Sequence, residues 1–468
     1  MHKSYNILIG LLLFLTISCA TQLPLEDTPQ TPSIDLAGYW EGEIDVGSHT
    51  TLTLGFLLIA QETGYDALLF VPEQGVTNMD VTAVDFDQNM NITITMDALQ
   101  AAFSGTFSHT DQRIEGTFTQ IGQSFPLVLN KGSAPTANRP QEPMPPYPYL
   151  VKEIYFTQSP EGFSLAGTIT RPTGEGPFPA VVLISGSGSQ NRDEEIMGHK
   201  PFLVLADALT RAGIVVLRYD DRGFASSEGD PSVATSLDLA NDALSAVTFL
   251  ASQSFVDTAA IGIIGHSEGG LIGPIVAQQS NLISFLVLMA GPGVKGIEIL
   301  EDQTAAIMRA QNIPEEIIDQ TVALNMSIYH IVLDSSKTVA ERKEAVHEML
   351  ATANLAQSAI EAQIQALFSP WYMTFLELDP AIFLQKVTVP VLILQGTKDT
   401  QISATLNIPA IEKALQEGGN TNYTTKVYEG LNHLFQPAKT GGVDEYATIE
   451  TTIDPQVLND IVSWMDHL

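Results

Sequence analysis

The sequence predicts an α/β protein, a mostly parallel sheet with helices on both faces and a helical lid, preceded by a small antiparallel β barrel or sandwich. Three observations carry this. Apolar residues recur with a period of two in the N-terminal third, as in Leu52, Leu54 and Phe56 and again in Ile92, Ile94 and Met96. A run dense in proline then forbids helix interiors and sheet ladders alike. Beyond it, short β-rich runs alternate with helical patterns, the signature of parallel strands joined by crossover helices. At 468 residues, 44% of them hydrophobic, the chain exceeds what one core usually holds and can form two globular units.

Residues 1–19 read as a secretory leader. Met1-His2-Lys3 is a short positive start, Ile7 to Leu15 is almost wholly apolar, and the run is too short to span a bilayer. Leu15-Thr16-Ile17-Ser18-Cys19 resembles the cleavage box of bacterial lipoprotein signals, although Thr16 stands where leucine is usual. The resemblance implies lipidation of Cys19, and with it an exported protein of the cell envelope, anchored at the outer membrane or in the periplasm by lipid only. An ordinary secretory peptide is the alternative. The mass of the mature N-terminus tests the anchor: an unmodified start beyond Cys19 removes it. Residues 20–33 hold three prolines and suit an extended tether.

The β domain covers 34–132. Phe103-x-Gly105-x-Phe107 and Ile114-x-Gly116-x-Phe118 flank His109-Thr110-Asp111-Gln112, which reads as a hairpin turn. Gly38-Tyr39-Trp40-Glu41-Gly42 resembles the first strand of small lipocalin-like barrels, where the indole closes the barrel base. A structural or substrate-presenting role is the first reading, a small ligand of its own the second. The boundary is set at 133–150, which contains Pro135, Pro140, Pro143, Pro145, Pro146 and Pro148.

The α/β domain spans 151–468. Val151 to Gln158 and Phe163 to Arg171 form an antiparallel pair joined through Ser159-Pro160-Glu161-Gly162. Ala180 to Ile184 is apolar throughout and reads as a buried parallel strand. A helix over 201–212, a strand over 214–219 and a helix over 236–251 follow, leading to the strand Ala260 to Ile264. Then come a helix over 271–279, a strand over 285–289 and an all-helical interval over 298–378. Asp379-Pro380 caps a short helix, strands resume at 389–394 and 423–428, and 455–468 closes as helix.

Gly265-His266-Ser267-Glu268-Gly269-Gly270 follows directly on an apolar strand and opens a helix. In that context G-x-S-x-G has a mechanical meaning. The strand ends and the helix starts within one residue, so the serine takes a strained conformation that lifts its Oγ above the sheet. Gly265 and Gly269 avoid a collision across the turn, and Gly270 allows helix and strand to approach. Pro274 inside the helix is expected to kink it.

With Leu217-Arg218-Tyr219-Asp220-Asp221-Arg222-Gly223 and Gly291-Pro292-Gly293, this stretch resembles the α/β-hydrolase superfamily over 151–468, in particular bacterial carboxylesterases of the serine-aminopeptidase-like branch. The resemblance implies a triad in the order Ser, acid, His, each partner on a loop after a late strand. A serine alone is a poor nucleophile near neutral pH and needs a base, itself oriented by an acid. Of nine histidines, His433 matches the family position; His266 is expected to point elsewhere, and His199, His330 and His347 lie on or near helical patterns. For the acid, Asp399 sits just past a buried strand, at the edge where open α/β sheets place their chemistry. Asp379 is the rival, explained by its capping role. The oxyanion hole needs two backbone donors. One is the amide of Glu268; the second comes from Ser185-Gly186-Ser187-Gly188-Ser189, with Ser187 first and Gly188 next. Met326, Tyr329, Met349, Phe368, Trp371, Tyr372, Met373 and Phe375 are candidates for an acyl pocket under the lid.

Lys+Arg 21 against Asp+Glu 54 leaves a net charge of -33, which repels phosphate backbones and argues against a nucleic-acid partner. One cysteine excludes an intramolecular disulfide. Gly186-x-Gly188 after a strand suggests a dinucleotide, but Asn191 holds the third glycine position and three acids follow. The expected function is therefore an exported serine hydrolase of small ester substrates, with no metal or organic cofactor required. The alternatives are an exopeptidase, with Glu194, Glu195 and Glu228 as candidates to bind a free amine, and an envelope binding protein that recognises its ligand through the β domain.

Overall fold

The computed structural model describes residues 36–45, 51–61, 64–71, 76–87, 89–120, 123–132, 138–351 and 357–468. The leader, Cys19 and the tether lie outside the described residues.

The N-terminal unit is one antiparallel nine-stranded sheet. Its strands are β1 (Gly38–Asp45), β2 (Thr51–Ala60), β3 (Tyr65–Val71), β4 (Val76–Asp80), β5 (Ala83–Phe86), β6 (Asn91–Met96), β7 (Ala101–Ser108), β8 (Arg113–Gln120) and β9 (Gln123–Lys131). The order is β4-β3-β2-β1-β9-β8-β7-β6-β5, and the sheet curls until β5 lies alongside β3. This decides between the two predicted architectures: one sheet rolled around one core is a nearly closed barrel, not a sandwich. Period-two residues such as Leu54, Phe56, Ile92, Ile94 and Phe103 fill the interior together with Trp40, whose indole N–H donates to the Leu36 carbonyl at 2.7 Å. Gly105 and Gly116 face each other across β7 and β8, and a Cβ on either would strike the Phe103 ring. The two glycines make room for that ring.

The second sheet has eight strands in the order β10-β11-β13-β12-β14-β15-β16-β17. They are β10 (Leu150–Thr157), β11 (Ser164–Arg171), β12 (Phe178–Ile184), β13 (Val215–Tyr219), β14 (Val256–His266), β15 (Ile283–Met289), β16 (Val391–Gly396) and β17 (Tyr423–Tyr428). β10 and β11 are antiparallel and the pairs from β13 to β17 are parallel. The continuous apolar run of β12 is explained by burial on both faces. Ala180, Val182 and Ile184 pack with helices α2 (Ser236–Ala251), α3 (Gly269–Gln279), α9 (Pro380–Leu384) and α10 (Ala404–Glu417), while Val181 and Leu183 pack with α1 (Pro201–Arg211) and α11 (Pro455–Met465). α3 continues through Pro274. Between β15 and β16 the chain inserts α4 (Gly296–Ala310), α5 (Glu315–Leu333), α6 (Val339–Ala351), α7 (Gln357–Leu367) and α8 (Pro370–Glu377), which share a core of their own.

The second half of the proline-rich segment is strapped to the α/β unit. Arg139 donates to the carbonyls of Gly198, Ala447 and Ile449, Gln141 bonds the backbone of Thr452 and Ile453, and Tyr149 donates to Asp207. Beneath this strap His199 is fully buried, its ring nitrogens 2.9 Å from Thr452 Oγ1 and 2.8 Å from the Tyr446 carbonyl. Burial lowers its pKa to about 4, helped by the nearby Arg139 charge and opposed by the Tyr446 carbonyl. The unfolded chain takes up this proton near pH 6.5, well before the native protein does, so the His199 contribution to stability falls as the pH drops from about 6.5 to about 4. That loss is about 3 kcal/mol, and denaturant titrations of the wild type and His199→Gln at both pH values measure it.

Candidate active site

β14 ends at His266 and α3 begins at Gly269, so two residues make the turn. Ser267 has φ +53°, the left-handed region that a residue with a Cβ rarely occupies. Its N–H donates to the Met289 carbonyl at 2.9 Å, which pins the turn to the end of β15. A Cβ on Gly265 would lie 2.0 Å from the Gly269 carbonyl oxygen, one on Gly269 2.1 Å from the Ile184 oxygen, and one on Gly270 2.7 Å from Gly291 Cα. Each glycine therefore stands where backbone meets backbone, and Ser267 is the residue left carrying the strain.

The loops after β16 and β17 meet at the same sheet edge. Asp399 Oδ1 accepts the N–H groups of Gln401 and Ile402, both at 2.8 Å. Its Oδ2 accepts from Gln395 Nε2 at 2.7 Å and from His433 Nδ1 at 2.8 Å. A carboxylate acceptor at Nδ1 fixes the imidazole tautomer and leaves Nε2 with its lone pair. The His433 loop is braced by buried Asn432, whose Oδ1 accepts from the Leu434 and Gln436 amides. The candidate acid and base are thus in contact. Among the described residues Ser267 Oγ has no hydrogen-bond partner within 3.5 Å, so the nucleophile's bond to the base is not made in this structure. Such bonds often tighten only around substrate. What joins the serine turn to the base is His266: its Nε2 donates to the His433 carbonyl at 3.0 Å, and the two rings lie 4.8 Å apart. His266, expected to point away from the nucleophile, turns its ring to Glu194 and the His433 carbonyl.

On the opposite side lies the loop after β12. Gly186 faces the serine so closely that a Cβ there would be 3.1 Å from Ser267 Cβ. Ser185 Oγ and the Gln190 N–H bond Asp221, whose carboxyl is pushed well up by burial. Asp220 binds Arg192 through backbone and guanidinium. The Arg-Tyr-Asp-Asp-Arg stretch that ends β13 and continues past it therefore shapes this loop. Gly188 has φ +91° and open space around it. The N–H groups of Ser187 and Glu268 have no acceptor among the described residues, which is what two oxyanion donors require.

Sequence reasoning used Glu268 only for its amide. Its side chain is buried as well, with Oε1 accepting from Ser236 Oγ at 2.5 Å and from Trp371 Nε1 at 2.9 Å. Burial raises its pKa against the pull of those donors and of Ser187. Trp371, stacked on Phe375 at 5.2 Å, is thereby the point where the helical insertion touches the serine turn. Tyr329, Phe368 and Phe375 are buried in the insertion's own core, and Met326, Trp371, Tyr372 and Met373 pack against it. Most of the proposed pocket residues are packing residues.

Glu194, Glu195 and Glu228 do not converge. Glu194 is buried against His266 and the Gly186 N–H, Glu195 bonds Asn191, and Glu228 bonds the Ser164 N–H. The same Glu194 contact occupies the amide that a pyrophosphate would need. Asp379 caps α9 through the Ala381 N–H, and His330 bonds the Met326 carbonyl within its own helix. Among the described residues no His/Cys/Asp/Glu group has the spacing of a metal site.

The profile of the family described as serine aminopeptidase, S33, matches residues 200–436, half of the chain and all three triad candidates. Esterase EstD of Thermotoga maritima is 29% identical over 305 residues, which is 64% of this chain and 65% of the esterase. The chain therefore spans just under two thirds of that relative's length. An uncharacterized protein of Mycobacterium tuberculosis is 33% identical over 123 residues, 26% of this chain and 40% of that protein. Among solved structures, the Pyrococcus furiosus esterase Pf2001 is similar with a TM-score of 0.43 at 15% identity, over 68% of this chain and 90% of that one.

Proposed function

The chain belongs to the serine aminopeptidase S33 family of α/β hydrolases, and from that premise we propose that it cleaves carboxylic esters through an acyl-enzyme formed on Ser267. The observation that carries this reading is the Asp399–His433 pair at 2.8 Å, on a loop tied through His266 to the strained serine turn.

In the proposed reaction Ser267 Oγ attacks the ester carbonyl while His433 Nε2 takes its proton. Asp399 stabilises the imidazolium that results. Negative charge forms on the carbonyl oxygen and is met by the N–H groups of Glu268 and Ser187, which have no acceptor of their own among the described residues. The tetrahedral intermediate collapses as His433 returns the proton to the leaving alcohol. Water, deprotonated by His433, then attacks the acyl-enzyme; a second collapse releases the acid and restores Ser267.

Esters are favoured over peptides by two considerations. The acids considered for holding a free amine point to other partners, and the relative matched over 64% of the chain is named an esterase. Ser267→Ala is expected to keep the fold and to lower nitrophenyl-ester turnover by roughly 10⁴-fold or more. An aminoacyl anilide assayed beside the ester distinguishes the exopeptidase. Ester turnover at the wild-type rate in Ser267→Ala would refute the triad.

A further inference from the structure

Glu194 and His266 take part in no step of the proposed reaction, yet both are almost fully buried, at 1% and 4% exposure. They lie 72 residues apart in the chain. Glu194 holds φ +51°, a left-handed conformation that a residue with a Cβ rarely adopts. Its Oε1 is 2.8 Å from the Gly186 nitrogen and 2.9 Å from His266 Nδ1. His266 Nε2 is 3.0 Å from the His433 carbonyl. Two side chains thus connect the loop after β12, the serine turn and the base loop.

The chemistry of the three bonds constrains their protons. Gly186 N–H can only donate, so Glu194 Oε1 accepts there. The His433 carbonyl can only accept, so His266 Nε2 carries a hydrogen. The remaining Nδ1–Oε1 contact needs one shared proton; placed on the nitrogen it makes an imidazolium facing a carboxylate, the charge-assisted form. Burial alone would disfavour the charged ring, but the Glu194 carboxylate, the His433 carbonyl and the Asp399 charge outweigh it, and the pKa of His266 is raised. Phe202, Leu205, Met289 and Leu434 line the small cavity beside Glu194, its Oε2 has no partner among the described residues, and the buried Asp221 carboxyl feels its charge. There a carboxylate without a cation would be costly.

We propose that Glu194 and His266 form a second carboxylate–imidazole pair that is not catalytic and that positions the base loop and the oxyanion loop against the nucleophile. The inference rests on the triad reading above. It distinguishes His266, a positioning residue, from the neighbouring Ser267 that touches substrate.

Glu194→Gln isolates the charge from the shape. A glutamine oxygen facing Gly186 and His266 leaves a neutral ring with one proton for two acceptors; a flipped amide turns its NH₂ toward the Gly186 N–H. In either case one of the three bonds is lost. The expected result is a kcat for a nitrophenyl ester lowered roughly ten- to hundred-fold with KM within about threefold, the mark of misplaced reacting groups and not of lost binding. In the Ser267→Ala chain, ¹⁵N-resolved NMR should find both ring nitrogens of His266 protonated at about pH 7, where an ordinary histidine is mostly neutral, and only one after Glu194→Gln is added. A single ring N–H on His266 with Glu194 intact overturns the proposal, as does a wild-type kcat in Glu194→Gln. The two readings fail separately: turnover in Ser267→Ala sinks the triad and leaves the NMR result to judge the pair. Should Glu194→Gln fail to fold, the spectrum of the Ser267→Ala chain still decides.

Discussion

Asp399→Asn is expected to lower kcat for a nitrophenyl ester by roughly 10⁴-fold while leaving the protein folded. The size follows from which atoms surround the carboxylate. Oδ1 is held by two backbone N–H groups, from Gln401 and Ile402, and only an oxygen can sit there. An asparagine must therefore turn its NH₂ to the Oδ2 side, toward Gln395 Nε2 and His433 Nδ1. The new donor drives the imidazole to the tautomer with hydrogen on Nε2, the atom that has to accept the serine proton. Base catalysis is lost with the geometry almost unchanged. Measuring kcat, KM and the thermal midpoint of the variant checks this; a loss of less than about tenfold would mean that another acid orients His433.

Gly265→Ala should have the largest effect on stability. Its Cβ would lie 2.0 Å from a carbonyl oxygen of the first turn of α3, and backbone cannot swing aside as a long side chain can. Strand and helix would have to separate at the tightest point of the sheet edge, with an expected cost on the order of 4 kcal/mol or more. Gly188→Ala is the contrast. Nothing lies within 4 Å of its Cβ, so only the positive φ is penalised, by about 1 kcal/mol. Denaturant midpoints of the two variants should differ widely; equal midpoints would show that the crossing at Gly265 relaxes easily.

The serine turn was legible because its three signals are local: an apolar strand, a glycine-flanked serine and a helical pattern within about fifteen residues. Asp399 and His433 were reached through the family resemblance, which implies an acid and a base on loops after late strands, and Asp379 was set aside because Asp-Pro at a helix start has a capping explanation that the Ala381 bond bears out. Period two announced the β domain but is the same in a barrel and a sandwich, so closure of the sheet had to come from the structure. Pro409 inside α10 masks that helix in the sequence. Long-range polar partners were out of reach. Nothing at position 194 announces His266, and nothing at position 268 announces a tryptophan 103 residues away. Such pairings depend on which loops the sheet order brings together, and periodicity carries no information about that.

The central claim is that Ser267 is a nucleophile activated by His433. Treating the full chain with a fluorophosphonate and mapping the adduct by peptide mass spectrometry tests it most directly. The account predicts one phosphonylated site, Ser267, with labelling abolished in Ser267→Ala and strongly slowed in His433→Ala. An unlabelled Ser267 in folded protein, or labelling that proceeds at full rate without His433, would contradict it.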